Sequence, residues 1–269
     1  MHALTASGTD VAYRSAGDGR GLVLLHGSFS DGASAFGHIA DRWADRRTVI
    51  TPDYAGAGAS TVPDGPLSLD TLVDQAAAVI KDAADEPVDL LGTSLGAVVA
   101  AATAARHPGL VRRLVLVAGW QSSDDPRHQL VFSTWHRLFG TDPALALRYG
   151  LSLAFSPEFL SGLGHDRLNG LADRSFPPAT DRRIELGLRI DLRAETPAIA
   201  APTLVVGLTQ DQLVPPRHAR ELRAAIPAST YAELDSGHAV QLERPDELVR
   251  ITRDFLFQEE PARQAGTDR

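Results

Sequence analysis

Residues 88–100 read VDLLGTSLGAVVA. A run of strand-type residues stops at Gly-Thr-Ser-Leu-Gly and resumes at once as an alanine-rich helical stretch, with no loop between them. Few backbones satisfy that. A strand that turns into a helix so abruptly needs small residues where the two elements approach, and Gly92 and Gly96 supply them. The bend leaves the central side chain, Ser94, on its outside. A serine there either caps the helix or performs chemistry.

The segments around this junction set its context. Strand-type runs lie at 21–27, 47–53, 88–94, 111–119, 202–209 and 229–235, several of them apolar on consecutive residues. That pattern suits strands covered on both faces of a parallel sheet. Helical patterns fall between them, near 34–45, 68–84, 95–107, 216–226 and 241–257. The first twenty residues suggest an antiparallel hairpin at the sheet edge. The expected fold is α/β, a mostly parallel, doubly wound sheet of eight strands. One interval breaks the alternation. From Trp120 to about Pro197 no strand pattern occurs, and a structureless loop of that length is implausible. It is expected to be a helical cap inserted after the sixth strand, and it holds half of the chain's aromatic residues. The expected domains are a core of 1–119 and 198–257, a cap of 120–197, and a polar, disordered tail of 258–269.

Composition removes several functions. The net charge of -8 opposes a nucleic-acid or anionic-membrane surface. The absence of cysteine excludes disulfides and thiolate chemistry. The N-terminal MHALTASGTD has neither a basic region nor an apolar run, and no segment approaches membrane-spanning length. A soluble, cytoplasmic protein acting on a small molecule, with no nucleic-acid or membrane partner, is expected. The sequence leaves its oligomeric state open.

A serine hydroxyl needs a base to become a nucleophile. Of nine histidines, His238 is the strongest candidate, because it follows the last strand and precedes the last helix in LDSGHAVQLERPDE. His2, His107 and His218 have the character of surface or helix-end residues, and His26 of a loop-shaping one. His128, His136 and His165 belong to the insertion, and no metal-ligand spacing occurs. The imidazole in turn needs a carboxylate to fix its tautomer. Asp211, just past the strand at 202–209, fits; Asp124 and Asp125 are poorer candidates. The order Ser94, Asp211, His238 is that of a strand-turn-helix nucleophile site. Backbone N–H groups of Ser28 and Leu95 are the expected oxyanion donors, with Phe29 as the neighbouring alternative to Ser28.

With LVLLHG, PDYAGAGAS, GTSLGAVVA, RRLVLVAG, PTLVVGLTQDQLVPP and SGHAVQLERPDEL in this order, the chain resembles the α/β-hydrolase superfamily over almost its whole length. It looks most like small serine esterases and enol-lactonases with a helical cap. The resemblance implies Ser94 as nucleophile, His238 as base and Asp211 as its orienter. It also implies a structural turn at Asp53, Gly56, Gly58 and Ser60, and no metal or organic cofactor. Ala55 stands where an arginine is frequent, and Thr93 where a histidine is frequent. The expected activity is hydrolysis of an ester, lactone or thioester of an apolar molecule. The alternatives are carbon–carbon bond hydrolysis, which would point to a cap arginine such as Arg127 or Arg137, a cofactor-free lyase or cyclase step, and a small-molecule receptor. Phe29, Trp120, Trp135 and His136 are the expected pocket residues.

Overall fold

The computed structural model describes residues 1–5, 8–62, 64–173 and 175–258, so all but the first residue of the expected tail lies outside the described residues. Its strands are β1 (His2–Leu4), β2 (Asp10–Ala16), β3 (Gly21–Leu25), β4 (Thr48–Pro52), β5 (Val88–Thr93), β6 (Val111–Val117), β7 (Thr203–Leu208) and β8 (Ser229–Leu234). They form one sheet in the order β1-β2-β4-β3-β5-β6-β7-β8. The β1–β2 and β2–β4 pairs are antiparallel, and every other pair is parallel. Every residue of β3, β5 and β7 is buried, which is why their apolar residues run consecutively instead of alternating.

The helices are α1 (Gly32–Phe36), α2 (Leu69–Ala83), α3 (Leu95–Arg106), α4 (Pro126–Thr141), α5 (Pro143–Ala154), α6 (Pro157–Ala172), α7 (Thr180–Leu186), α8 (Pro216–Ala225), α9 (Val240–Glu243) and α10 (Pro245–Leu256). α3 is buried from Leu95 to Ala104, so it carries small apolar residues all round and lies close against β5 and β6. α4 to α7 form the cap, between β6 and β7. Three of them start alike. Asp125, Asp142 and Ser156 each accept a hydrogen bond from the first turn, with a proline next in sequence. The cap residue satisfies a free N–H, and proline lacks the one that would be unsatisfied anyway.

Two helical expectations are corrected. The stretch 34–45 holds only the end of α1 and a 3-10 turn at Ala40–Arg42, because the chain dips to bury Trp43, whose indole N–H donates to Thr252 Oγ1 at 3.2 Å. The stretch 241–257 is two helices. Pro245 disfavours helical backbone at Arg244 (φ -135°, ψ 53°), and the break turns Glu243 inward. Among the described residues no helix is long and apolar enough to cross a membrane.

Candidate active site

β5 ends at Thr93 and α3 begins at Leu95, so a single residue makes the turn. Ser94 has φ 56° and ψ -122°, a backbone state that costs a non-glycine residue about 1–3 kcal/mol. The surroundings hold it there. A Cβ on Gly92 would overlap the Gly96 carbonyl, and one on Gly96 would overlap the Leu25 carbonyl, so neither position admits a side chain. The Ser94 N–H donates to Val117 O at 2.9 Å, pinning the turn to β6. The Ser94 side chain makes no capping hydrogen bond. Its hydroxyl is left for something other than the helix.

Asp211 leaves the end of β7 and is buried. Its Oδ1 accepts from the N–H groups of Leu213 and Val214, both at 2.8 Å. Its Oδ2 lies 2.6 Å from His238 Nδ1. An ionised carboxylate only accepts, so the proton of that bond sits on Nδ1 and Nε2 presents a lone pair. The two loops are tied together a few residues back, where Thr209 Oγ1 (2.7 Å) and Gln210 Nε2 (2.8 Å) both donate to Asp235. Ser94 and His238 line one cavity of about 500 Å³. The passed-over carboxylates lie elsewhere. Asp124 pairs with Arg193 at the surface, and Asp125 caps α4 and pairs with Arg217. Burial of Asp125 opposes ionisation, but Arg217 and the first-turn N–H groups outweigh it and hold its carboxyl down at about 2.

The loop after β3 lies over the serine. A Cβ on Gly27 would stand 3.2 Å from Ser94 Cβ, tighter than ordinary packing, so the loop runs close against the serine. Before it, His26 is buried; Nδ1 donates to Gly27 O at 2.8 Å and Nε2 accepts from Tyr54 N–H at 3.1 Å. Burial first, and the Arg183 charge second, push its pKa down to about 3, so the ring is neutral. Ser28 lines the cavity, and Leu95 opens α3 with its side chain in the core. Among the described residues no carbonyl accepts from the N–H of Ser28, Phe29 or Leu95. The next loop is a tight support. Asp53 accepts from Gly32 N–H at 2.8 Å, and Ser60 Oγ donates to the Asp53 carbonyl at 2.7 Å.

The aromatic expectations divide. Phe29 and Trp135 line the cavity and stack with ring centroids 4.2 Å apart, and Phe176 meets Phe29 edge-on. A Cβ on Gly150 would lie 2.7 Å from the Trp135 ring, so that glycine seats the indole against α5. Trp120 is not among the lining residues. It is fully buried, donates to Ser123 Oγ at 3.2 Å and packs against His128 and Phe132 behind the cavity wall. His136 is one residue past Trp135, about 100° further round the helix. It faces a separate cleft with Arg137, Phe139 and Asp181. Neither Arg127 nor Arg137 lines the main cavity.

One connection had no sequence signal. Glu243, which resembles any surface glutamate of a terminal helix, is buried. Its carboxylate accepts from Ser156 N–H (2.8 Å), Ser156 Oγ (2.7 Å) and Gly237 N–H (3.2 Å). Beside it, Ala239 N–H donates to Ala154 O at 2.9 Å. The cap is thereby clamped to the loop that carries His238.

An eight-stranded, mostly parallel sheet with cap helices after the sixth strand is the α/β-hydrolase fold. The sequence profile of the Alpha/beta hydrolase family matches residues 22–251, and the chain belongs to that family, as an enzyme. It is 35% identical to pyrrolizixenacetamide deacetylase of Xenorhabdus hominickii over 97% of this chain and 99% of that relative. It is 29% identical to 2-hydroxymuconate semialdehyde hydrolase of Pseudomonas sp. strain CF600, over 96% and 94% of the two chains. Among solved structures, the enol-lactonase from Burkholderia xenovorans LB400 superposes with a TM-score of 0.84 at 24% identity, covering 96% of this chain and all of the other, a likeness of fold.

Proposed function

We propose that the chain is a serine hydrolase that cleaves a small to medium, largely apolar ester, lactone, thioester or amide through an acyl-enzyme on Ser94. The carrying observation is the 2.6 Å bond from buried Asp211 to His238, which lines the same cavity as Ser94 with its uncommitted hydroxyl. In this reading His238 Nε2 takes the Ser94 proton as Oγ adds to the substrate carbonyl. The N–H groups of Ser28 and Leu95 hold the oxyanion, at the positive end of α3. Collapse expels the alcohol, thiol or amine, which leaves with the proton from His238. Water, deprotonated by the same imidazole, then frees the acid and restores Ser94.

The amide enters because a relative similar over nearly the whole of both chains is named a deacetylase. The aromatic walls favour an apolar partner for the acyl group. Carbon–carbon hydrolysis is the second reading, favoured by the semialdehyde hydrolase relative. Against it, the described lining carries no lysine or arginine to hold a substrate carboxylate; Arg174 lies outside the described residues. The test is turnover of neutral aryl acetates, acetanilides and a dienoic keto-acid. Release of acetate, with an acetylated Ser94 trapped at low pH, supports the reading. Exclusive cleavage of the keto-acid transfers the assignment to the second reading, and binding without turnover transfers it to a receptor.

A further inference from the structure

Arg183, on cap helix α7, is fully buried, and among the described residues no carboxylate lies within ion-pair distance of it. All its hydrogen bonds go to neutral oxygens. Nε donates to Ser28 O (2.9 Å), Nη1 to Ala55 O (3.3 Å) and Pro178 O (3.2 Å), and Nη2 to Thr180 Oγ1 (2.9 Å). Burying a cation without an anion costs several kcal/mol unless its donors are satisfied. A cap that needed only anchoring would be served by an apolar side chain.

The acceptor reached by Nε explains the choice. A trans peptide unit is planar, so the carbonyl of one residue and the N–H of the next point to opposite edges. Arg183 holds the Ser28 carbonyl and thereby directs the Phe29 N–H the other way. His26 does the same to the preceding unit, holding the Gly27 carbonyl and directing the Ser28 N–H. Two successive peptide planes are thus fixed in the loop whose Gly27 lies against Ser94.

We infer that Arg183 is a positioning residue of the oxyanion hole: from the cap, it locks the Ser28–Phe29 peptide, so that Ser28, whose N–H is offered to an oxyanion on Ser94, is held between two fixed peptide planes. The inference rests on Ser94 being the nucleophile. It makes the seating of α7 and the assembly of the hole a single event. The neighbouring His26 fits, since a neutral ring donates at Nδ1 and accepts at Nε2, as both its bonds require.

The test compares wild type, Arg183→Ala and Arg183→Lys on p-nitrophenyl acetate, with thermal melts. For Arg183→Ala, kcat falls about 10–100-fold, somewhat less than for loss of an oxyanion donor itself, while KM stays within about threefold. The acid limb of the kcat/KM profile stays in place, because the His238–Asp211 pair is untouched. Methylguanidinium restores kcat saturably. An Arg183→Ala protein with wild-type kcat overturns the inference; so does one whose loss appears only in KM and Tm with no recovery. If Arg183→Ala does not fold, Arg183→Lys carries the test. It keeps the charge but lacks the Nε–H that holds Ser28 O, so kcat falls about tenfold, and an unchanged kcat overturns the inference. Wild type without turnover or Ser94 acylation defeats the serine-hydrolase reading itself; an active wild type beside unimpaired variants defeats the inference alone.

Discussion

Asp211→Asn isolates the electrostatic logic of the proposed site. Asp211 Oδ1 accepts two backbone N–H groups at 2.8 Å each, so the asparagine must keep its carbonyl oxygen there. Its NH2 then occupies the Oδ2 position, facing His238 Nδ1 across the present 2.6 Å contact. An NH2 only donates in this geometry, so Nδ1 must accept, and the ring proton moves to Nε2. The lone pair that would take the Ser94 proton is gone, although no atom has been displaced. The expected loss in kcat is about ten-thousand-fold, or about 5.5 kcal/mol of barrier at roughly 1.4 kcal/mol per tenfold. Stopped assays on p-nitrophenyl acetate at pH 7–9 measure it, and a melt within a few degrees of wild type shows that the fold persists. Activity within tenfold of wild type refutes the reasoning, because the ring would then be oriented by another group.

Glu243→Gln places an NH2 among three donors, Ser156 N–H, Ser156 Oγ and Gly237 N–H, and is expected to cost about 2–3 kcal/mol in urea unfolding; an unchanged midpoint would separate the cap from the histidine loop. Gly150→Ala puts a methyl 2.7 Å from the Trp135 ring, so about 1–3 kcal/mol of stability is lost and KM for aryl esters rises; unaltered kinetics would remove Trp135 from the substrate wall. His26, held near 3 by burial and then by Arg183, lies below its ordinary 6.5, so the unfolded chain binds a proton that the native state does not. Stability attributable to it is therefore lost as pH falls below about 6.5, by about 2 kcal/mol between pH 7 and pH 5. His218, pushed down by burial and Arg217, acts in the same direction. Equal urea midpoints at the two pH values would contradict both burials.

The fold was legible because its constraints are local. Consecutive apolar residues marked β3, β5 and β7 as covered on both faces, and the Asp-Pro and Ser-Pro pairs open the cap helices. The elbow was legible for the same reason, since Gly92 and Gly96 admit no Cβ. What depends on how the cap docks was not legible. Trp135 and His136 are adjacent in sequence, yet they face different cavities, because the orientation of α4 is set by packing. Trp120 has the aromatic character of a substrate contact but packs behind the wall. Arg183 and Glu243 carry no sequence signal, as each looks like a surface charge until its long-range partners, Ser28 and Ser156, are in place.

The most direct test of the central claim is the intact mass of the protein after exposure to a fluorophosphonate, for wild type and Ser94→Ala side by side. A single phosphonyl adduct on the folded wild type, absent from Ser94→Ala, is the result expected of an activated serine at the turn between β5 and α3. A folded wild type that stays unmodified, or a Ser94→Ala protein labelled equally well, would contradict it.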